Sequence, residues 1–343
     1  MSRRLRILVL VHPDYMPPDS IEGLSDKEVA PFKTEFDVTA TLRTELGHEV
    51  EVLGVAEDLG VIQRAAERFQ PHIAFNLLEE FAGVGVYDAH VVSYLESLGL
   101  PYTGANPRGL MLSHDKAVAK MLCRYHRISV PRFHVFPIRR KSKRPKHLAF
   151  PLIVKSLTED GSIGIAQRSV VYDDEQLAER VAFIHRQLNT DALVESFVEG
   201  REVYVGIIGN DRLQTLPLWE LHMPGLPEGV PNIATGRVKW DEDYQKRIGL
   251  ETRPVTDLPP EQVDGIYKLC KRTYKALQLS GYARIDLRLD PAGKPFLIEA
   301  NPNPQLAYGE DFAESAHHAG LPYEQLLKKI LTVGMGYRLS GRA

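Results

Sequence analysis

The fold turns on Gly281-Tyr282-Ala283-Arg284-Ile285-Asp286-Leu287-Arg288-Leu289-Asp290-Pro291-Ala292-Gly293-Lys294-Pro295-Phe296-Leu297-Ile298-Glu299-Ala300-Asn301. The stretch reads as two strands joined by a tight turn. Successive side chains of a strand point to opposite faces, so Ile285, Leu287 and Leu289 share one face and Arg284, Asp286 and Arg288 the other. On the return strand Phe296, Ile298 and Ala300 share a face, with Leu297, Glu299 and Asn301 opposite. A turn centred on Ala292-Gly293 sets Asp286 against Glu299 and Arg284 against Asn301. Opposed Cβ atoms lie about 4.5–5.5 Å apart, and like charges there repel. Two opposed carboxylates beside an amide ask for a cation. Oxygen-only donors suit a hard one, Mg²⁺ first, shared with substrate phosphates. The alternative is an acidic pair on a solvated strand face.

Composition narrows the class. The 343 residues suffice for two or three domains. A content of 43% hydrophobic and 25% charged residues is that of a soluble globular protein. With 45 acids against 42 bases, the net charge of −3 gives no electrostatic case for nucleic acid or a membrane surface. The two cysteines, Cys123 and Cys270, are too far apart for a disulfide framework or a zinc spacing, which fits a reducing, cytoplasmic setting. The short apolar run after Met1 stops at His12-Pro13-Asp14 and reads as a first strand, not a signal peptide.

Residues 1–110 alternate strand and helix patterns: strands at Ile7–Val11, Glu49–Val55 and Ile73–Leu77, helices at Phe36–Leu46, Leu59–Arg68 and Tyr87–Leu98. That alternation predicts a parallel α/β layer. Residues 111–190 differ. Ser113 is placed to cap a helix running to Tyr125. Strands are expected at Pro131–Phe136, Pro151–Lys155 and Ile165–Val171, and a helix at Asp174–Gln187. Between them lies a basic run at residues 139–146, read as a solvated loop. Residues 191–343 hold strand patterns at Leu193–Phe197, Glu202–Ile208 and Leu213–Leu218, an irregular stretch at Met223–Gly236, a helix at Gln262–Leu279, the hairpin, and a last helix at Tyr323–Leu331.

Several residues carry chemistry only weakly when taken singly. Lys155 ends an apolar strand and precedes a loop with Gly161, Ser162 and Gly164, where backbone N–H groups can approach phosphate oxygens. A plain hairpin turn explains the same glycines. Glu195 and Glu202 flank the turn Ser196–Arg201 and could accept from an adenine amino group and ribose hydroxyls. They could also be surface acids. Lys116 and Lys239 are uninformative alone. No Walker, dinucleotide, GxSxG or HExxH signature occurs.

The order of these signals is more specific than any one of them. The chain resembles the ATP-grasp ligases, in layout the D-alanine–D-alanine ligase group. The resemblance rests on Phe75-Asn-Leu-Leu, Leu100-Pro-Tyr-Thr-Gly104, Asp115-Lys116, Pro151–Lys155, Gly161–Gly164, Glu195–Glu202, Val238-Lys239-Trp240, Ala283–Asp286 and Ile298–Asn301. It implies an α/β (α+β) ATP-grasp fold: an N-terminal parallel α/β domain (1–110), a small central α+β domain with a phosphate loop (111–190) and a C-terminal α+β domain with the hairpin (191–343). It implies that Lys116, Lys155 and Lys239 hold ATP phosphates and that Ser162, with Gly161 and Gly164, belongs to the covering loop. Glu195, Phe197 and Val198 fall to the adenine site and Glu202 to the ribose site. Asp286, Glu299 and Asn301 would ligate two Mg²⁺ ions, with Mn²⁺ able to substitute, and Arg284 would stabilise the tetrahedral intermediate. The implied reaction joins a small-molecule carboxylate to an amine through an acylphosphate, in a homodimer. A small-molecule kinase and a non-catalytic nucleotide-binding regulator are the rival readings.

The substrate side departs from the family pattern. His12-Pro13-Asp14-Tyr15 stands where a Gly-Gly-x-Ser-x-Glu segment is expected. Leu78-Glu79-Glu80-Phe81 replaces a His-Gly pair. Pro302-Asn303-Pro304-Gln305 follows the metal asparagine. These departures argue for an amino acid or peptide substrate pair other than two D-alanines.

Overall fold

The computed structural model describes residues 4–338 except Lys141 and Asp160, and not the side chain of Trp240. Lys141 of the basic run and Asp160 of the glycine loop therefore lie outside the described residues. Strands β1 (Arg6–Val11), β2 (Glu49–Gly54) and β3 (Ile73–Asn76) form a parallel sheet in the order β2-β1-β3. Helices Lys33–Thr44, Gly60–Phe69 and Asp88–Leu98 alternate with the strands. This is the parallel layer that the alternation predicts, because parallel neighbours need a crossover, usually helical.

A second sheet, in the order β4-β7-β5-β6, combines β4 (Phe133–Phe136), β5 (Leu152–Ser156), β6 (Val170–Val171) and β7 (Ala192–Ser196). β7 pairs here although it lies past residue 190. The expected strand Ile165–Val171 shrinks to two residues. A 3₁₀ turn at Gln167–Ser169 takes its middle, and the Ser169 hydroxyl accepts from the Ala166 N–H at 3.0 Å. The third sheet is antiparallel, ordered β10-β9-β8-β11-β12, from β8 (Arg201–Ile208), β9 (Gln214–His222), β10 (Glu251–Pro254), β11 (Tyr282–Leu289) and β12 (Pro295–Pro302). Among the described residues no helix is long and apolar enough to cross a membrane.

Two corrections concern helix starts. Ser113 caps nothing. It lies inside a helix, Pro107–His114, that the sequence reading lacks, and Asp115 caps the next one, Lys116–Tyr125, accepting from the Ala117 and Val118 N–H groups at 2.9 Å. Asn106-Pro107 is the missed start signal, an N-cap followed by proline at the first helical position.

The ends of the chain pack together. The helix Tyr323–Met335 lays Leu326, Leu327, Ile330 and Leu331 against Ile7, Val9, Ile73 and Phe75 of the parallel sheet. The first and third sheets are thereby held as one frame around the hairpin.

Glu35 is a buried acid in this frame, on the helix Lys33–Thr44. Burial, with a smaller contribution from Glu79, pushes its carboxyl up to about 7. The folded protein then holds a proton there that the unfolded chain releases near pH 4.5. This contribution is full below about pH 4.5 and is lost as the pH rises through 7, on the order of 3 kcal/mol in all. Glu35→Gln should accordingly gain on the parent protein between pH 5 and pH 8 in urea unfolding. A stability difference that stays constant with pH contradicts the assignment.

Candidate active site

The hairpin β11–β12 carries the register that the sequence predicts at its site end. Asp286 lies opposite Glu299 and Arg284 opposite Asn301. Beyond that the register slips: Leu287 pairs with Leu297, which leaves Ile298 as an extra residue in a β-bulge. The expectation that Ile298 shares the apolar face with Ala300 is thereby corrected, and Ile298 lines the cavity instead. The Leu297 N–H donates to the Ser129 carbonyl at 2.8 Å, out of the β11 ladder.

Charge is paired tightly along the inward face. Arg284 grips Asp286 with two parallel hydrogen bonds of 2.8 Å, and the Asn301 amide donates to the same carboxylate at 2.8 Å. The guanidinium also lies over the Tyr204 ring and 3.9 Å from Asp311. Burial, opposed by Arg284 but reinforced by Glu299 and Glu202, leaves the Asp286 carboxyl raised. Arg284 moves upward in turn, its acidic neighbours outweighing burial.

The hairpin forms one wall of a cavity of about 500 Å³. Facing it, Lys155 at the end of β5 reaches Glu195 of β7 at 3.0 Å, and Lys120 reaches the other Glu195 oxygen at 2.8 Å. Burial would raise Glu195, but the two ammonium groups overcome it and hold the carboxyl low. Burial pulls Lys120 down, whereas Glu195 and Glu299 outweigh it at Lys155 and raise that lysine. The Lys116 ammonium donates to the Glu159 carbonyl at 2.8 Å and lies 3.9 Å from Glu299.

An apolar slot of the same cavity lies beside this charged floor. Ile153 and Ile233 are buried in one cluster with Ile165 and Phe197, and Val238 also lines the slot. Arg288 fixes its edge. It donates to the Val198 carbonyl at 2.6 Å and the Gly200 carbonyl at 2.9 Å, stacks on Phe197, and pairs with Glu202 at 3.2 Å. The turn between β7 and β8 is thus pinned to the hairpin β11–β12.

The glycine loop closes another side. Gly161, Ser162 and Gly164 all have positive φ, the region glycine enters without cost. A methyl group at Gly164 would come within 2.8 Å of Leu188, so the loop sits close to the helix Asp174–Gln187 and its end. Across the cavity mouth the Gly236 N–H donates to Ile165 at 3.0 Å, which brings the loop onto the short helix Gly236–Trp240 carrying Lys239.

Most of the residues expected from sequence therefore surround one cavity: Lys116, Lys155, Gly161, Ser162, Glu195, Phe197, Val198, Glu202, Lys239, Arg284, Asp286 and Glu299. Gly164 and Asn301 do not line it. Asn301 reaches the site through Asp286. The Glu195 oxygens, read as adenine acceptors, are held instead by the two lysines. Lys120 and Arg288 were missed, because a buried cation looks like a solvated one in sequence. The i,i+4 spacing of Lys120 from Lys116, on a helix face shared with Ala119 and Cys123, is the signal available.

The far end of the cavity belongs to the segment after Asn301. Gln305, Gly309, Glu310 and Asp311 line it with Lys33. Lys33 donates to the Tyr308 carbonyl, and Asp37 accepts from the Tyr308 N–H at 2.8 Å, so the helix Lys33–Thr44 clamps this segment.

This layout has known counterparts. A family model described as D-ala D-ala ligase C-terminus matches residues 122–332. The chain belongs to the D-Ala–D-Ala ligase family. It is 33% identical over 304 residues to an uncharacterized protein, y4sG, of Sinorhizobium fredii, covering 86% of this chain and 85% of that one. It is 29% identical to a D-alanine–D-alanine ligase of Pelotomaculum thermopropionicum, over 82% of this chain and 86% of that one. In fold it matches the Bacillus anthracis D-alanine–D-alanine ligase complexed with ATP, with a TM-score of 0.74 at 23% identity over 97% of this chain and 98% of that one. As a member of this family the chain is an ATP-grasp ligase that forms a carbon–nitrogen bond. The family match begins at residue 122, so Lys116 and Lys120 fall outside it.

Proposed function

We propose that the cavity binds ATP with Mg²⁺, and that the protein phosphorylates a small carboxylic acid and passes the acyl group to an amine. The observation that carries this reading is the facing of the Lys155–Glu195 wall and the Asp286–Glu299 hairpin across one cavity. The apolar slot takes the adenine between Ile153, Ile233, Val238 and Phe197. Glu202, held by Arg288, meets the ribose. Lys116, Lys155 and Lys239 meet the phosphates, under the loop Gly161–Gly164.

Asp286, Glu299 and Asn301 would hold the metal. Among the described residues no cluster of three His, Cys, Asp or Glu side chains surrounds one point, and the donors here are two carboxylates and an amide. They fit a hard cation, because all can offer oxygen and Asp286 is raised by the burial and negative neighbours that a cation would offset. Bound Mg²⁺ neutralises charge on the transferring phosphoryl group.

The chain's own groups do the rest. An acid oxygen attacks the γ-phosphorus and ADP leaves. The amine nitrogen then attacks the acyl carbon, and phosphate departs with that original acid oxygen while the nitrogen loses a proton. Arg284 stands where charge develops on the tetrahedral carbon, already oriented by Asp286. The loop over Lys155 keeps water from the acylphosphate.

We further propose a substrate pair other than two D-alanines, because Gln305, Glu310, Asp311 and Lys33 line the acid and amine end. The test is phosphate release from ATP and Mg²⁺ with paired pools of amino acids and dipeptides. Release should need both an acid and an amine and stay at background with D-alanine alone. Turnover with D-alanine alone overturns the substrate assignment, and a phosphorylated product without free phosphate favours a kinase.

A further inference from the structure

Lys120 is 2% exposed and touches two walls of the cavity at once. Its ammonium meets Glu195 on β7 and donates to the carbonyl of Ile298 on β12. Ile298 is the bulge residue beside Glu299, so the bonded carbonyl marks the point where the register slips. Glu195 hands its second oxygen to Lys155. One turn before Lys120 on the same helix, Lys116 approaches Glu299.

This trio is costly. Ions withdrawn from water lose several kcal/mol each, and apolar replacements commonly serve stability as well or better. A need to place charges explains its presence better than a need for stability. Bulges serve that purpose, re-aiming side chains beside active sites. Here the bulge lets Glu299 face Asp286 while Leu297 turns to Ser129.

We propose that Lys120 is a positioning residue that keys the metal-bearing strand to the phosphate-binding wall, setting Glu299 and Lys155 in place relative to each other. The inference rests on the ATP·Mg²⁺ reading of the cavity. Lys120 touches no substrate. It acts through Glu195 on Lys155 and through Ile298 on Glu299.

Two quantities test it: the affinity for the non-hydrolysable analogue AMP-PNP in excess Mg²⁺, and the Mg²⁺ concentration that half-saturates this binding. Both are measured well below the melting temperature. Lys120→Met keeps the length and loses the charge. It should weaken AMP-PNP at least tenfold and raise the half-saturating Mg²⁺ severalfold. Should it not fold, Lys120→Gln, which keeps an amide donor in the core, is measured with the same expectations. A folded variant with parental values in both quantities overturns the inference, since a merely structural lysine lowers the melting temperature alone. Failure of the unsubstituted protein to bind AMP-PNP overturns the reading of the cavity itself.

Discussion

Asp286→Asn is expected to lower ATP-dependent phosphate release by about 10³-fold or more. Loss of a single oriented donor at a developing charge already costs 10²–10³, and this substitution does two kinds of damage. It removes the central carboxylate of the proposed metal donor set. It also presents an amide in place of the acceptor that orients Arg284 through two 2.8 Å bonds. The exchange weakens the fold as well, because breaking a buried ion pair costs about 3–5 kcal/mol. Asp311, 3.9 Å from the same guanidinium, tempers that loss. Activity is therefore compared at a temperature where unfolding curves show both proteins folded. Parental turnover in the folded variant would remove Asp286 from the metal assignment.

Gly281→Ala should produce a large loss of stability. Gly281 immediately precedes β11 with φ +70, and a Cβ there would come within 2.1 Å of the Gly104 carbonyl oxygen. The left-handed backbone costs a side chain about 1 kcal/mol. Overpacking against main chain adds roughly 1–3 kcal/mol. Gly104 cannot yield cheaply. Its own position is filled on another side by Asn303, whose side chain accepts from the Ala105 N–H at 2.8 Å. The segment Leu100–Gly104 is thus trapped between the two ends of the hairpin. Chemical denaturation should show a loss of about 3 kcal/mol, and a loss below about 1 kcal/mol would mean that this crossing is loose.

The hairpin was legible because its evidence is local. Alternation marks the two strands, but the Asp290–Lys294 turn alone would set Asp286 opposite Ile298, and only the bulge brings Glu299 there. The bulge at Ile298 was not legible, because its cause is remote. Lys120 and Ser129 take up Ile298 and Leu297 groups from more than 160 residues away in the chain. Burial of charge was hidden for a similar reason. Arg288 reads as a solvated strand residue until the turn Val198–Gly200 closes over it. The strand Glu251–Pro254 escaped because it is a short edge strand with charged residues and no apolar alternation. The helix Pro107–His114 escaped although its Asn-Pro start was in plain view.

Isotope transfer tests the central claim, that the cavity activates an acid with ATP before an amine takes the acyl group, most directly. The acid found in the phosphate-release screen is labelled with ¹⁸O in its carboxyl group and turned over with ATP and its amine. The mechanism predicts one ¹⁸O in the released phosphate for each bond formed, since the oxygen that attacks the γ-phosphorus leaves with it. Unlabelled phosphate, with all the label retained in the acyl product or in water, would contradict it.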